Sequence, residues 1–291
     1  MRMRSISSFD AATNETNENF PVASWYLGAA NRDVILKFYR FVRKADDIAD
    51  SRTLADQKKI EIIDSMEREL SGFGDSIPEA VLLRDALSQR GIPTIHAKEL
   101  LIAFRTDVTK ARYESWAELM NYCSYSAMPV GRFLLDLHGE DKSLYPASDK
   151  LCAALQINNH LQDCRKDYVG LNRIYIPREF LDVHNATPSM LSERSSRPEL
   201  IACLRDIAHR SGELIDECSA LGCSLDDVRL GAEVSIVHAC AKKICQKLSC
   251  KDPLCQRVRL NKIETVSIGV KTMFEFFLDK TGKRLSGRDG S

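Results

Sequence analysis

Apolar residues return every three or four positions through most of this chain, and almost nowhere every second position. Val34, Ile35, Phe38, Phe41, Val42 and Ala45 keep to one face of a helix. The same spacing predicts helices over residues 20–30, 32–50, 54–70, 79–89, 94–112, 116–137, 147–168, 199–221, 225–248 and 258–277. Gly72, Gly74, Gly91 and Pro93 punctuate the series, and residues 183–198 read as a loop. Arg173-Ile174-Tyr175-Ile176 is the one strand candidate. Pro129 lies inside the 116–137 segment, where it either kinks a continuous helix or marks an end at Ala127 and a restart. No internal repeat or linker divides the chain. The expectation is one all-α domain over residues 19–278, preceded by a disordered polar segment, 1–18, and followed by a polar tail, 279–291.

Composition narrows the function classes. The 291 residues carry 41 basic and 41 acidic side chains, so no global positive field favours nucleic acid. Ten cysteines without a secretory signal fit thiols in a reducing cytosol. Cys240, Cys245, Cys250 and Cys255 recur every five residues, but that step turns a helix by about 140°, so the thiols fan out rather than converge on a metal. No apolar run reaches the roughly 18–20 residues that span a bilayer. Any membrane contact is expected to be peripheral, at the inner face.

The most informative positions are acidic. Asp46 and Asp50 stand four apart on one predicted helix, and Asp163 and Asp167 stand four apart on another. Residues at i and i+4 share a helix face. Two such pairs facing each other suit Mg²⁺, which is usually held by one or two carboxylates together with substrate phosphates. That points to chemistry on a diphosphate ester. The competing structural reading is a set of solvated ion pairs with Arg43, Lys44, Arg165 and Lys166.

Three stretches make the pattern specific: Glu18 to Ser24 with Phe38 to Asp50, Tyr122 to Arg132, and Gln156 to Asp167 with Arg173 to Pro177. In these stretches the chain resembles the squalene/phytoene synthases over about residues 18–275. The resemblance implies an all-α isoprenoid synthase fold around a central apolar cavity. It also implies Mg²⁺ held by Asp46, Asp50, Asp163 and Asp167, and a tyrosine, Tyr125, at the reaction centre, where it would order a water. The expected substrate-binding set is Arg43, Lys44, Tyr39, Phe20, Gln156, Asn159, Lys166 and Arg173. Phe38, Phe41, Phe133 and Leu134 are further candidate walls. His160 is expected to be structural, because it turns about 100° from Asn159.

Two positions depart from the usual family pattern. Gln162 stands where arginine is usual, and Lys166 where an acid is usual. This second-motif style resembles the hydroxysqualene-forming, hopanoid-linked branch. The resemblance therefore implies Mg²⁺-dependent ionisation of presqualene diphosphate and capture of the cation by water, in the manner of a carbon–oxygen lyase. The C30 product is nearly insoluble, so hand-over to other enzymes of squalene metabolism is expected. The alternatives are head-to-head condensation of two farnesyl diphosphates, head-to-tail prenyl elongation, and a non-catalytic assembly protein of the same fold. Retention of all four aspartates argues against the last.

Overall fold

The computed structural model describes residues 29–286, with side chains from 31 to 280. Residues 20–28 of the expected first helix, with Phe20 and the Glu18–Ser24 stretch, lie outside the described residues, while Ala29 and Ala30 run on through Asn31 into the next helix, so the expected break at residue 31 is absent.

Four helices build the N-terminal half: α1 (Ala29–Ala49), α2 (Asp56–Leu70), α3 (Pro78–Gln89) and α4 (Ile95–Thr109). Val34, Phe38, Phe41, Ala45 and Ile48 recur at helical spacing and point inward from α1 into a core shared with α2, α3 and α4. Phe38 stacks face to face on Phe133, with ring centroids 3.9 Å apart. Phe38, Phe41 and Phe133 are therefore packing residues rather than ligand walls. Leu134 packs against the same core.

The 116–137 segment is two helices, α5 (Trp116–Ser126) and α6 (Met128–His138), hinged at Ala127, whose φ is −134° and ψ −46°. Pro129 falls in the first turn of α6, where its missing N–H has no intrahelical partner to lose. Gly131 explains how closely α6 meets the next helix. A Cβ at that position would stand 2.3 Å from Ser148 Oγ and 2.7 Å from Cys152 Sγ. Beside it, Arg132 and Asp149 form a two-pronged ion pair at 2.9 and 2.6 Å.

The central element is α7 (Tyr145–Leu171), 27 residues long and packed against α5, α6 and two C-terminal helices, α9 (Pro198–Glu217) and α11 (Val228–Cys250). Being covered on several sides, it buries Asn158, which donates to the Ala241 carbonyl and accepts from Ser211. The short helices α8 (Arg178–Val183) and α10 (Leu221–Ser224) and the helix α12 (Lys262–Ser286) complete the fold. α12 runs eight residues past the expected end of the domain at 278, so residues 279–286 continue a helix instead of opening a polar tail.

Among the described residues there is no strand. Ile174 N–H donates to the Ala111 carbonyl, and Arg178 and Glu179 N–H at the start of α8 donate to the Tyr113 and Glu114 carbonyls, but residues 173–176 form no strand. All ten cysteines are free thiols, with Cys240 and Cys245 buried and Cys250 and Cys255 exposed. No described helix is long and apolar enough to cross a membrane.

Candidate active site

The C-terminal ends of α1 and α7 face each other across a cavity of about 170 Å³, closed from the side by α4 and α5. Three of the four expected aspartates line it: Asp46 and Asp50 from α1, and Asp167 from α7. Asp163 stands one turn before Asp167, pairs with the exposed Lys166 at 3.3 Å, and raises the pKa of Asp167. Gln156 and Arg173 also line the cavity. Ala103, Phe104 and Leu171 supply its apolar wall.

Arg173 is placed by the way α7 ends. Asn172 adopts a left-handed conformation, φ 54°, and Arg173 N–H returns to the Asp167 carbonyl at 3.1 Å. The guanidinium is thereby turned inward. It reaches Asp50 Oδ1 at 2.5 Å, the Ala49 carbonyl at 3.3 Å and the Asp107 carbonyl at 3.0 Å. Arg173 thus bridges the ends of α1 and α4, with most of its donors engaged by protein.

Asp107 is a fifth carboxylate at this site, unforeseen in the sequence reading. One oxygen accepts from Tyr122 at 2.9 Å and the other from Tyr175 at 2.8 Å. The two rings lie 5.4 Å apart, Tyr113 packs on both, and the His160 ring stacks on Tyr175 at 3.7 Å and 14°.

Burial of so much like charge sets the electrostatics. Burial first, and the neighbouring Asp50 second, push the Asp46 carboxyl up to about 7, while Arg43 opposes them. Asp167 also rises to about 7, through burial, Asp163 and, across the cavity, Asp50. Asp107 rises to about 6 through burial, against the pull of Arg173 and of its two tyrosine bonds. Burial and then Arg173 lower His160 to about 3, leaving it neutral. Arg173 loses to burial but gains more from Tyr175, Asp107 and Asp50, and its pKa is raised.

Other expected residues fall elsewhere. Tyr125 is half-buried against the core of α5, α7 and α9 and does not line this cavity; Tyr122, one turn earlier, does. Lys44 is exposed, because one residue past Arg43 the helix has turned away from the aspartate face. Tyr39 and Asn159 are not among the lining residues. Arg43 sits at the rim, pairing with Asp46 at 3.0 Å and Asp47 at 2.9 Å. His160, expected to be structural, lines the cavity.

Among the described residues no three His, Cys, Asp or Glu side chains converge as a self-sufficient metal cage. The acid-rich cavity still fits a hard cation, because opposed carboxylates with raised pKa values are short of positive charge. It fits one that takes its remaining ligands from water and a diphosphate.

Residues 13–264 match the squalene/phytoene synthase pattern. The chain belongs to the squalene/phytoene synthase family. It is similar to the hydroxysqualene synthase of Rhodopseudomonas palustris, with 52% identity over 264 residues, covering 91% of this chain and 90% of that one. The hydroxysqualene synthase of Zymomonas mobilis is 41% identical, covering 87% and 86% of the two chains. The presqualene diphosphate synthase of the same organism is 23% identical, covering 70% and 71%. Among solved structures, the squalene synthase HpnC from Alicyclobacillus acidocaldarius superposes with a TM-score of 0.71 at 27% identity, covering 82% of this chain and 92% of that one. The fold is that of the isoprenoid synthases, enzymes of a type that typically uses a divalent metal.

Within the family frame the two departures separate. Gln162 faces away from the cavity and donates to the Val258 carbonyl, tying α7 to the segment before α12. Lys166 stays beside the second aspartate pair at the open rim.

Proposed function

We propose that this chain is a hydroxysqualene synthase, converting presqualene diphosphate and water into hydroxysqualene and diphosphate, a carbon–oxygen lyase reaction. The observation that carries the reading is near-full-length likeness to two hydroxysqualene synthases at 52% and 41% identity, against 23% to a presqualene diphosphate synthase. The cavity supports it: its acidic end suits a metal-bound diphosphate, and its aromatic end suits a carbocation.

Asp46, Asp50, Asp163 and Asp167 would hold Mg²⁺. When bound, the metal supplies positive charge that neutralises the departing diphosphate. Arg43 and Lys166 at the rim add cationic donors on either side. Arg173 holds Asp50 in place from inside the protein, so the first pair is pre-set before substrate arrives. As the C–O bond breaks, the aromatic cluster around Tyr122 at this end of the cavity would stabilise the carbocation, a ring face being worth roughly 0.5–2 kcal/mol to a cation. Asp107 accepts both tyrosine hydroxyl protons in hydrogen bonds, which fixes the rings edge-on to it. The reaction is redox-neutral, so the balance requires no hydride.

The test uses purified protein with Mg²⁺ in ¹⁸O-water, without nicotinamide. One tube receives presqualene diphosphate and the other farnesyl diphosphate. Singly labelled hydroxysqualene from the first tube alone is the expected result. Presqualene diphosphate accumulating in the second tube would transfer the assignment to the condensing enzyme.

A further inference from the structure

We propose that His160 and Ser126 form the water slot of this enzyme, with His160 Nε2 positioning the nucleophilic water and receiving its proton. The inference rests on the reaction proposed above.

Two polar atoms lining the cavity, His160 Nε2 and Ser126 Oγ, are buried and have no hydrogen-bonding partner among the described residues. A buried polar atom without a partner is unfavourable, and native folds rarely keep one unless a water or ligand completes it. Here the two atoms belong to residues of different helices, α7 and α5, that line the same cavity.

The other histidines show what a structural role looks like in this fold. His96 Nε2 lies 2.8 Å from Asp136, although its Nδ1 is buried without a partner, His184 Nε2 lies 3.1 Å from Asp206, and His238 Nε2 lies 2.7 Å from the Ile215 carbonyl. His138 Nδ1 bonds the Leu134 carbonyl at 2.8 Å, and the exposed His209 pairs with Glu213. His160 instead is held by stacking on Tyr175, which fixes the ring plane, while its buried Nε2 has no partner among the described residues. The neighbouring tyrosine hydroxyls are committed to Asp107, so neither is open to act as the base. Tyr125, the residue the family motif points to, does not line this cavity.

Position along α7 agrees with this role. His160 stands seven residues before Asp167, two turns or about 10 Å along the axis. That sets the histidine apart from the acidic end of the cavity.

The step balances as follows. A water oxygen lone pair forms the new C–O bond to the carbocation. The O–H electrons stay on oxygen as its proton passes to Nε2 of the neutral imidazole. A second water then takes the proton from Nε2 out to solvent, and the ring returns to neutral. Ser126 Oγ is the second hydrogen-bonding partner that orients the water.

The test is the ratio of hydroxysqualene formed to diphosphate released, measured from presqualene diphosphate in ¹⁸O-water. His160→Phe keeps the stack on Tyr175 but removes Nε2. The ratio should fall at least tenfold, with elimination products or other alcohols taking up the difference. His160→Gln should restore part of the ratio, and Ser126→Ala should lower it by a smaller factor. Thermal melting of each variant checks folding. If His160→Phe does not fold, the Gln and Ser126→Ala variants decide. An unchanged ratio in the folded variants overturns the water slot, even if overall turnover falls, because a merely structural role slows both products together. Failure of the wild-type enzyme to form any labelled hydroxysqualene overturns the parent reading instead.

Discussion

The two aspartate pairs have the same spacing and opposite surroundings. On α1, Asp50 is clasped at 2.5 Å by the buried Arg173, which also holds the Ala49 and Asp107 carbonyls. On α7, Asp163 has as its partner Lys166, whose side chain is 77% exposed. A buried guanidinium with three protein acceptors sets geometry, whereas an exposed ammonium on a flexible stem supplies charge without fixing it. If the pairs act as the proposed diphosphate site, the first is a preformed half and the second an adjustable one. The difference shows that identical sequence spacing can serve frame and gate at once, according to which cation stands behind each carboxylate.

Removing a carboxylate from either half has the largest expected effect. Asp50→Asn and Asp167→Asn should each lower turnover of presqualene diphosphate about a thousandfold, roughly 4 kcal/mol. Retention of activity by the α7 variant alone, in steady-state assays at saturating Mg²⁺, would reduce the second pair to a spectator.

Next comes the frame itself. Arg173→Met leaves Asp50 and Asp107 without their internal cation and should destabilise the protein by about 2–3 kcal/mol in denaturant unfolding. The figure is taken low in the range for a broken buried pair because Asp50 keeps 38% of its side chain exposed.

A pH effect should follow. Asp46 and Asp167 hold their protons up to about 7 in the folded state, while the unfolded chain releases them near 4. Between those values the folded form binds more protons, so stability falls as pH rises. The melting temperature of metal-free protein should drop by about 2–4 °C from pH 5 to pH 8. Mg²⁺ with inorganic diphosphate should offset the drop at pH 8 and do little at pH 5. A melting temperature that rises over this interval would contradict the assigned electrostatics.

The smallest effect is expected at the gate. Lys166→Met should change stability by less than about 0.5 kcal/mol, as for other exposed ion pairs. Its signature should be a few-fold rise in KM rather than a change in fold.

Much of this was legible in the sequence, for definable reasons. The helices were visible because apolar positions such as Val34, Phe38, Phe41 and Ala45 repeat with the helical period. The aspartate pairs were visible because each lies within one helix, where spacing alone fixes the shared face. Asp107 was invisible because its meaning comes from Tyr122 and Tyr175, 15 and 68 residues away, and nothing local in Phe104-Arg105-Thr106-Asp107 signals that. The position of His160 on the cavity was hidden for a related reason. Its angle from Asn159 was reckoned correctly, but the cavity lies on the side of Gln156 and Asp167, with Asn159 exposed. Pro129 was ambiguous in principle, since the first turn of a new helix tolerates proline as readily as a kink requires it.

The central claim is that the aspartates of α1 and α7 act as one diphosphate site. The direct measurement is a double-mutant cycle: calorimetric binding of inorganic diphosphate in the presence of Mg²⁺ to wild type, Asp50→Asn, Asp167→Asn and the double variant. A shared site predicts non-additive losses, with a coupling free energy above about 1 kcal/mol. Losses that add to within about 0.5 kcal/mol would mean that the two helices bind independently, and the single-site account would be wrong.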